Sequence, residues 1–186
     1  LCADAINAVS PTYANELKLA YFAHRLEGIM QQCDYKLTGV LNGIDMKLYD
    51  PSNDDRITAK YSIADMSGKA ADKAALQRMM GLHEDPNVPM MAIVSRLVSH
   101  KGLDLICDVF DQIMEGKCQF AVLGSGDAVY EAFFQQKKDQ YGSRMGFFRG
   151  YNEALANQIG NNYNLRIASS DGLVQLGSLR SGVLRL

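Results

Sequence analysis

The chain has no tryptophan, only four prolines and only three histidines among its 186 residues. His24, His83 and His100 lie far apart, with no carboxylate cluster between them. That spacing offers no metal site. The four cysteines, Cys2, Cys33, Cys107 and Cys118, form no CxxC pair and find no histidine at zinc spacing. They read as reduced, mostly buried thiols of a cytosolic protein. Excess charge is also missing. A net charge of -2 provides no broad basic field for nucleic acid or anionic lipid. No uncharged apolar run approaches the roughly 20 residues of a membrane helix, so no membrane partner is expected. No GxSxG elbow or Cys/His pairing suggests a hydrolase. No sequence signal sets an oligomeric state.

What remains is the composition of an ordinary globular α/β protein, 47% hydrophobic and 22% charged. The chain starts Leu1-Cys2-Ala3-Asp4 without a leader pattern and stops at Val183-Leu184-Arg185-Leu186 inside an apparent element. The expectation is a piece cut from a longer chain.

Residues 3–9 read as a short strand. Ser10-Pro11-Thr12 opens a helix, with Ser10 or Thr12 as its cap. Tyr13, Leu17, Tyr21 and Leu26 fall near helical spacing and carry that helix to about Gln32. A second strand, 37–41, closes on the turn signal Asn42-Gly43. Residues 49–55 read as a loop, 68–80 as a helix and 81–89 as a loop or linker. Met90 to Ser95 is a continuous apolar run, the pattern of a strand buried on both faces. Leu103, Ile106, Phe110 and Ile113 follow at helical spacing. Strands are then expected at 118–123, 145–149 and 165–169. Helices are expected at 128–140, 152–159 and 172–179. This alternation predicts a Rossmann-like parallel sheet with helices on both faces.

In such sheets ligands sit at the carboxyl ends of the strands. Three segments fall there. Arg96 and Lys101 leave the first buried strand; they hold a diphosphate, or are two unrelated solvated cations. Gly124, Ser125 and Gly126 of Leu-Gly-Ser-Gly-Asp follow the next strand. They let the backbone approach an anionic ligand, or form a tight strand–helix connection. Tyr151 stacks on a nucleobase, or is a structural tyrosine.

Ordered motifs settle these alternatives. Ala8-Val9-Ser10-Pro11-Thr12-Tyr13-Ala14 resembles the V-S-P-T-Y-A signature of bacterial glycogen synthases and plant starch synthases. Leu41-Asn42-Gly43-Ile44-Asp45 with Tyr49-Asp50-Pro51 resembles L-N-G-I-D…W-D-P. Residues 68–77 resemble G-K-x-x-N-K-x-x-L-Q, and 95–104 resemble S-R-L-x-x-x-K-G-L-D. Residues 123–127 are the L-G-S-G-D loop, and 150–153 resemble G-Y-x-E.

The resemblance implies an α/β, GT-B-type, two-domain retaining glucosyltransferase. It would move glucose from ADP-glucose, or from UDP-glucose in some members, to the non-reducing end of an α-1,4-glucan. No metal or other cofactor is implied. By residue, it implies that Arg96 and Lys101 neutralise the departing diphosphate and that Gly124, Ser125 and Gly126 line the nucleotide pocket. Tyr151 would stack near the adenine, and Asn42 would lie near the donor sugar. It places the tail of an acceptor-side domain at 1–43, a crossing segment at 44–89 and an incomplete nucleotide-sugar domain at 90–186. It also implies a bacterial cytoplasmic or plant plastid-stroma location.

The family's P-S-x-F-E-P-C-G-L-x-Q-L segment is altered. Here residues 168–176 read Ala-Ser-Ser-Asp-Gly-Leu-Val-Gln-Leu. The F-E-P-C half, with the glutamate that holds the donor glucose, is missing. The amides of Gly172, Leu173 and Val174 remain as a candidate helix N-terminal phosphate site. The piece by itself is therefore expected to be inactive. A non-catalytic nucleotide- or glucan-binding remnant and a transferase with another sugar nucleotide are the alternatives.

Overall fold

A computed structural model describes residues 2–43, 45–162, 165–170 and 173–178. It divides into two compact units, residues 1–49 and 50–186.

In the first unit, β1 (Ile6–Ala8) pairs in parallel with β2 (Leu37–Gly39). Helix α1 (Pro11–Glu16) is capped as its sequence dictates. The Ser10 hydroxyl accepts the Tyr13 N–H at 2.9 Å, and Pro11 takes the first helical position, where no N–H is needed. The expected helix to Gln32 is broken into α1, α2 (Ala20–Ala23) and α3 (Glu27–Gln32). Both breaks have a backbone cause: Leu19 before α2 is extended at φ -104°, ψ 137°, and after it His24 ends α2 at φ 48° with Arg25 following at φ 73°. Two successive residues in the left-handed region cannot continue a right-handed helix.

The second unit carries a five-stranded sheet in the order β5-β4-β3-β6-β7. Its strands are β3 (Met90–Val94), β4 (Gln119–Gly124), β5 (Met145–Arg149), β6 (Leu165–Ser170) and β7 (Leu173–Ser178). The first four are parallel. The helices are α4 (Gly68–Met80), α5 (Leu103–Glu115), α6 (Ala128–Tyr141) and α7 (Glu153–Asn162).

Strand alternation divides the core into two layers. Met91, Ile93, Phe120 and Val122 pack with Leu103, Ile106 and Phe110 of α5 and Phe134 of α6. Met90, Ala92, Ala121 and Leu123 pack with Leu76 and Met80 of α4 and Leu155 and Ile159 of α7. A sheet apolar on both faces needs helices on both, which explains why β3 and β4 read as continuous apolar runs.

The last expected element differs. Residues 173–178 form a strand, antiparallel to β6 with Ser170 opposite Leu173, instead of a helix. Val174 and Gly177 both lower helix propensity, and edge pairing satisfies the backbone that a short helix would leave open.

The breaker-rich stretch 81–89 is tied down. Gly81, at φ 68°, ends α4, and the Leu82 N–H returns to the Gln77 carbonyl at 2.8 Å. The buried Gln77 amide donates to the Asp85 carbonyl at 3.0 Å and the Gln119 side chain at 2.7 Å. The Lys73 ammonium donates to the carbonyls of Pro86 and Val88. A second tether joins residues 54–56 to α7. Asp54 accepts Arg56 Nε at 2.8 Å and Asn157 Nδ2 at 2.7 Å, while Gln158 donates to the Arg56 carbonyl at 3.0 Å. The Arg56 hydrogen bond holds the Asp54 pKa down at about 2.

Candidate functional site

The strand order reverses at β3, because β4 lies on one side of it and β6 on the other. That is the switch point at which open α/β sheets bind ligands. Arg96 lies two residues beyond the carboxyl end of β3, and Lys101 sits in the 3₁₀ turn Ser99–Lys101 before α5.

The local backbone is unusually fixed for a loop. Beyond β3 and β4 the chain keeps pairing: Leu97 N–H donates to the Ser125 carbonyl at 2.9 Å, and Asp127 N–H to the Leu97 carbonyl at 2.7 Å. Leu97 and Gly126 form a parallel bridge, and the Leu97 side chain is fully buried. On the other side, Gly150 N–H donates to the Gly124 carbonyl at 3.0 Å. Three strand exits are thus bonded to one another.

This pairing gives the two glycines a reason that sequence reading missed. A Cβ on Gly124 would lie 2.1 Å from the Ser95 carbonyl oxygen, and one on Gly126 would lie 2.3 Å from that of Leu97. Glycine is required because one loop backbone packs against another. The Gly126 N–H is also occupied, donating to Glu131 Oε1 at 2.9 Å. The amides of Gly126 and Asp127 are therefore spent within the protein.

Arg96 is exposed and Lys101 half-buried, and neither makes an ion pair among the described residues. Ser125 is exposed beside Gly126. Tyr151 follows Gly150, whose φ is 127°, and the residue is 81% exposed. The structure thus brings Arg96, Lys101, Gly124, Ser125, Gly126 and Tyr151 to one edge of the sheet. Asn42 is exposed in the first unit, after β2. Gly172 lies outside the described residues. Leu173 and Val174 start a strand, so no helix N-terminus forms there.

Two residues escaped the sequence reading: Glu131, in the first turn of α6, and Arg149, the last residue of β5. Their signal is a long-range pairing that no local motif encodes. A groove of about 500 Å³ at the amino end of β5, lined by Arg78, Met80, Lys138 and Met145, lies away from these strand exits. Cys33 and Cys118 are buried, Cys107 is half-buried and Cys2 is exposed. Burial pushes the Cys107 thiol up to about 11 and raises that of Cys118. Both are packing groups rather than nucleophiles. Among the described residues no helix is long and apolar enough to cross a membrane.

A parallel sheet with helices on both faces and a switch-point edge carrying two cations, an exposed tyrosine and a glycine loop is an α/β fold of the GT-B type. Over 89% of this chain and 34% of the other, the fold superposes with a TM-score of 0.80 and 30% identity on the catalytic domain of starch synthase IV from Arabidopsis thaliana, solved bound to ADP and acarbose. Glycogen synthase of Bacillus cereus (strain ATCC 10987 / NRS 248) is 42% identical over 159 residues, 86% of this chain and 33% of the relative. Glycogen synthase of Serratia proteamaculans is 41% identical over 99% of this chain and 40% of its own length. No family model matches. The chain spans a third to two fifths of the length of these relatives, and over that span it is homologous to the glycogen and starch synthases.

Proposed function

We propose that this chain is the donor-binding part of a retaining glucosyltransferase that moves glucose from ADP-glucose to the non-reducing end of an α-1,4-glucan. The observation that carries the reading is the pair of cations, Arg96 and Lys101, without an ion pair among the described residues, at the switch point beside a loop whose Gly126 and Asp127 amides are already bonded. In transfer, the bond from the anomeric carbon to the β-phosphate oxygen breaks, and negative charge gathers on the leaving diphosphate. Fixed cationic groups stabilise that charge without a metal. Arg96 offers a planar donor fork and Lys101 a point charge. Tyr151 offers a stacking face for the base, and Ser125 borders the same edge. Asn42 is assigned to the donor-sugar side. The working compartment is the bacterial cytoplasm or, in a plant, the plastid stroma.

Calorimetry of ADP and ADP-glucose binding to this chain tests the reading. Arg96→Ala and Lys101→Ala should each weaken ADP roughly 10- to 100-fold, the loss of one charge-assisted contact of about 1.5–3 kcal/mol. Unchanged affinity in both would refute it, and tighter binding of UDP than ADP would reassign the donor.

A second reading is a nucleotide-binding remnant without transfer activity. The missing F-E-P-C half and the strand at residues 173–178 favour it. Tight ADP binding by a complete parent enzyme carrying the same 168–176 segment, with no glucosyl transfer, would establish that reading.

A further inference from the structure

Glu131 is buried, and both its carboxylate oxygens are used. Oε1 accepts the Gly126 N–H at 2.9 Å, and Oε2 pairs with Arg149 Nη2 at 2.7 Å. Its own N–H donates to the Asp127 carbonyl at 3.2 Å. Gly126 is part of the exit of β4, and Arg149 ends β5 two residues before Tyr151. One carboxylate thus grips the loop after one strand and the last residue of the next. It also takes the amide that, in phosphate-binding loops, is given to the ligand. A carboxylate buried to this degree needs a counter-charge, and Arg149, itself 73% exposed, supplies it.

We infer that Glu131, with Arg149 as its counter-ion, is a positioning residue for the nucleoside end of the donor site. The inference rests on the donor-site reading above. The pair fixes the exit of β5, and with it Tyr151, against the loop that borders Arg96 and Lys101. It does not touch the nucleotide. Its effect should therefore fall on ligands that span both ends of the site and spare those held by the cations alone. ADP spans both ends, and inorganic pyrophosphate needs only Arg96 and Lys101.

The test titrates ADP and pyrophosphate into the parent chain and into Glu131→Ala, Glu131→Gln and Arg149→Met. Amide exchange at Gly126 and Gly150 is followed without ligand. Glu131→Ala should lose protection at Gly126 and weaken ADP roughly tenfold, with pyrophosphate within about twofold. Glu131→Gln keeps an acceptor for Gly126 and should stay close to the parent. Arg149→Met should fall between the two. Unchanged protection in Glu131→Ala overturns the clamp. Equal weakening of ADP and pyrophosphate, or of neither, overturns its role at the nucleoside end. A parent that binds pyrophosphate but not ADP overturns the donor-site reading and this role with it, while loss of Gly126 protection in Glu131→Ala would still show the clamp, so the two failures are distinguishable.

Discussion

Two apolar stripes look alike in the sequence and fold differently. Leu103, Ile106 and Phe110 in the second unit are 1%, 7% and 0% exposed on one continuous helix, α5. Tyr13, Tyr21 and Leu26 in the first unit are 37%, 86% and 48% exposed on a chain broken into three short helices. The buried apolar residues described in the first unit, Ala8, Ala14, Ala23 and Cys33, are all small. Helical spacing becomes a long helix where a face exists to bury it, because most helical stability comes from tertiary packing. In the second unit the sheet is that face.

The comparison can be broken by substitution. Phe110 sits at the centre of an aromatic cluster, with ring centroids 5.0 Å from Phe120 and 5.7 Å from Phe133. Phe110→Ala should cost about 3–5 kcal/mol in urea unfolding followed by circular dichroism. A loss below about 1 kcal/mol would mean that the second unit is no better packed than the first. Gly126→Ala comes next. Its Cβ would press on the Leu97 backbone, so a loss of roughly 2–3 kcal/mol is expected, together with loss of protection at the Asp127 amide in hydrogen exchange.

Acid sharpens the contrast further. Asp54 is held at about 2, below its ordinary value of 3.8, chiefly by Arg56. A lowered carboxylate stabilises the fold above its unfolded pKa, and that contribution disappears as pH falls through the folded value. Stability of the second unit should therefore drop by roughly 1–2 kcal/mol between about pH 4 and 2. The drop should be absent in Asp54→Asn. Smallest of all, Tyr21→Ala in the first unit should stay within about 0.5 kcal/mol of the parent. A larger loss would show that the exposed ring is buried in solution.

The same contrast explains what the sequence revealed. Strands β3, β4 and β5 and helices α4 to α7 were legible because burial on both faces of the sheet writes long apolar patterns. The break at His24 and Arg25 was not, since periodicity carries no record of a left-handed backbone. Strand β7 was misread as a helix because six residues leave the period ambiguous, and pairing with β6 decided the outcome. Arg96, Lys101, Gly124, Gly126 and Tyr151, singled out by ordered motifs, come together at one edge of the sheet. The reason for the glycines and the part played by Glu131 were not legible, because both depend on neighbouring strands meeting in space.

The stretch from Gly81 to Pro89 has the turn-rich composition of a site where proteases cut. Cleavage requires several residues to detach and enter an enzyme cleft as an extended strand. Here Gln77 and Lys73 of one helix hold the carbonyls of Asp85, Pro86 and Val88, and the buried Leu82 closes the helix end. Detaching that stretch means breaking those bonds to α4 and drawing Leu82 out of the core. Digestion of this loop is therefore expected to proceed through local opening of α4's carboxyl end rather than from the folded state.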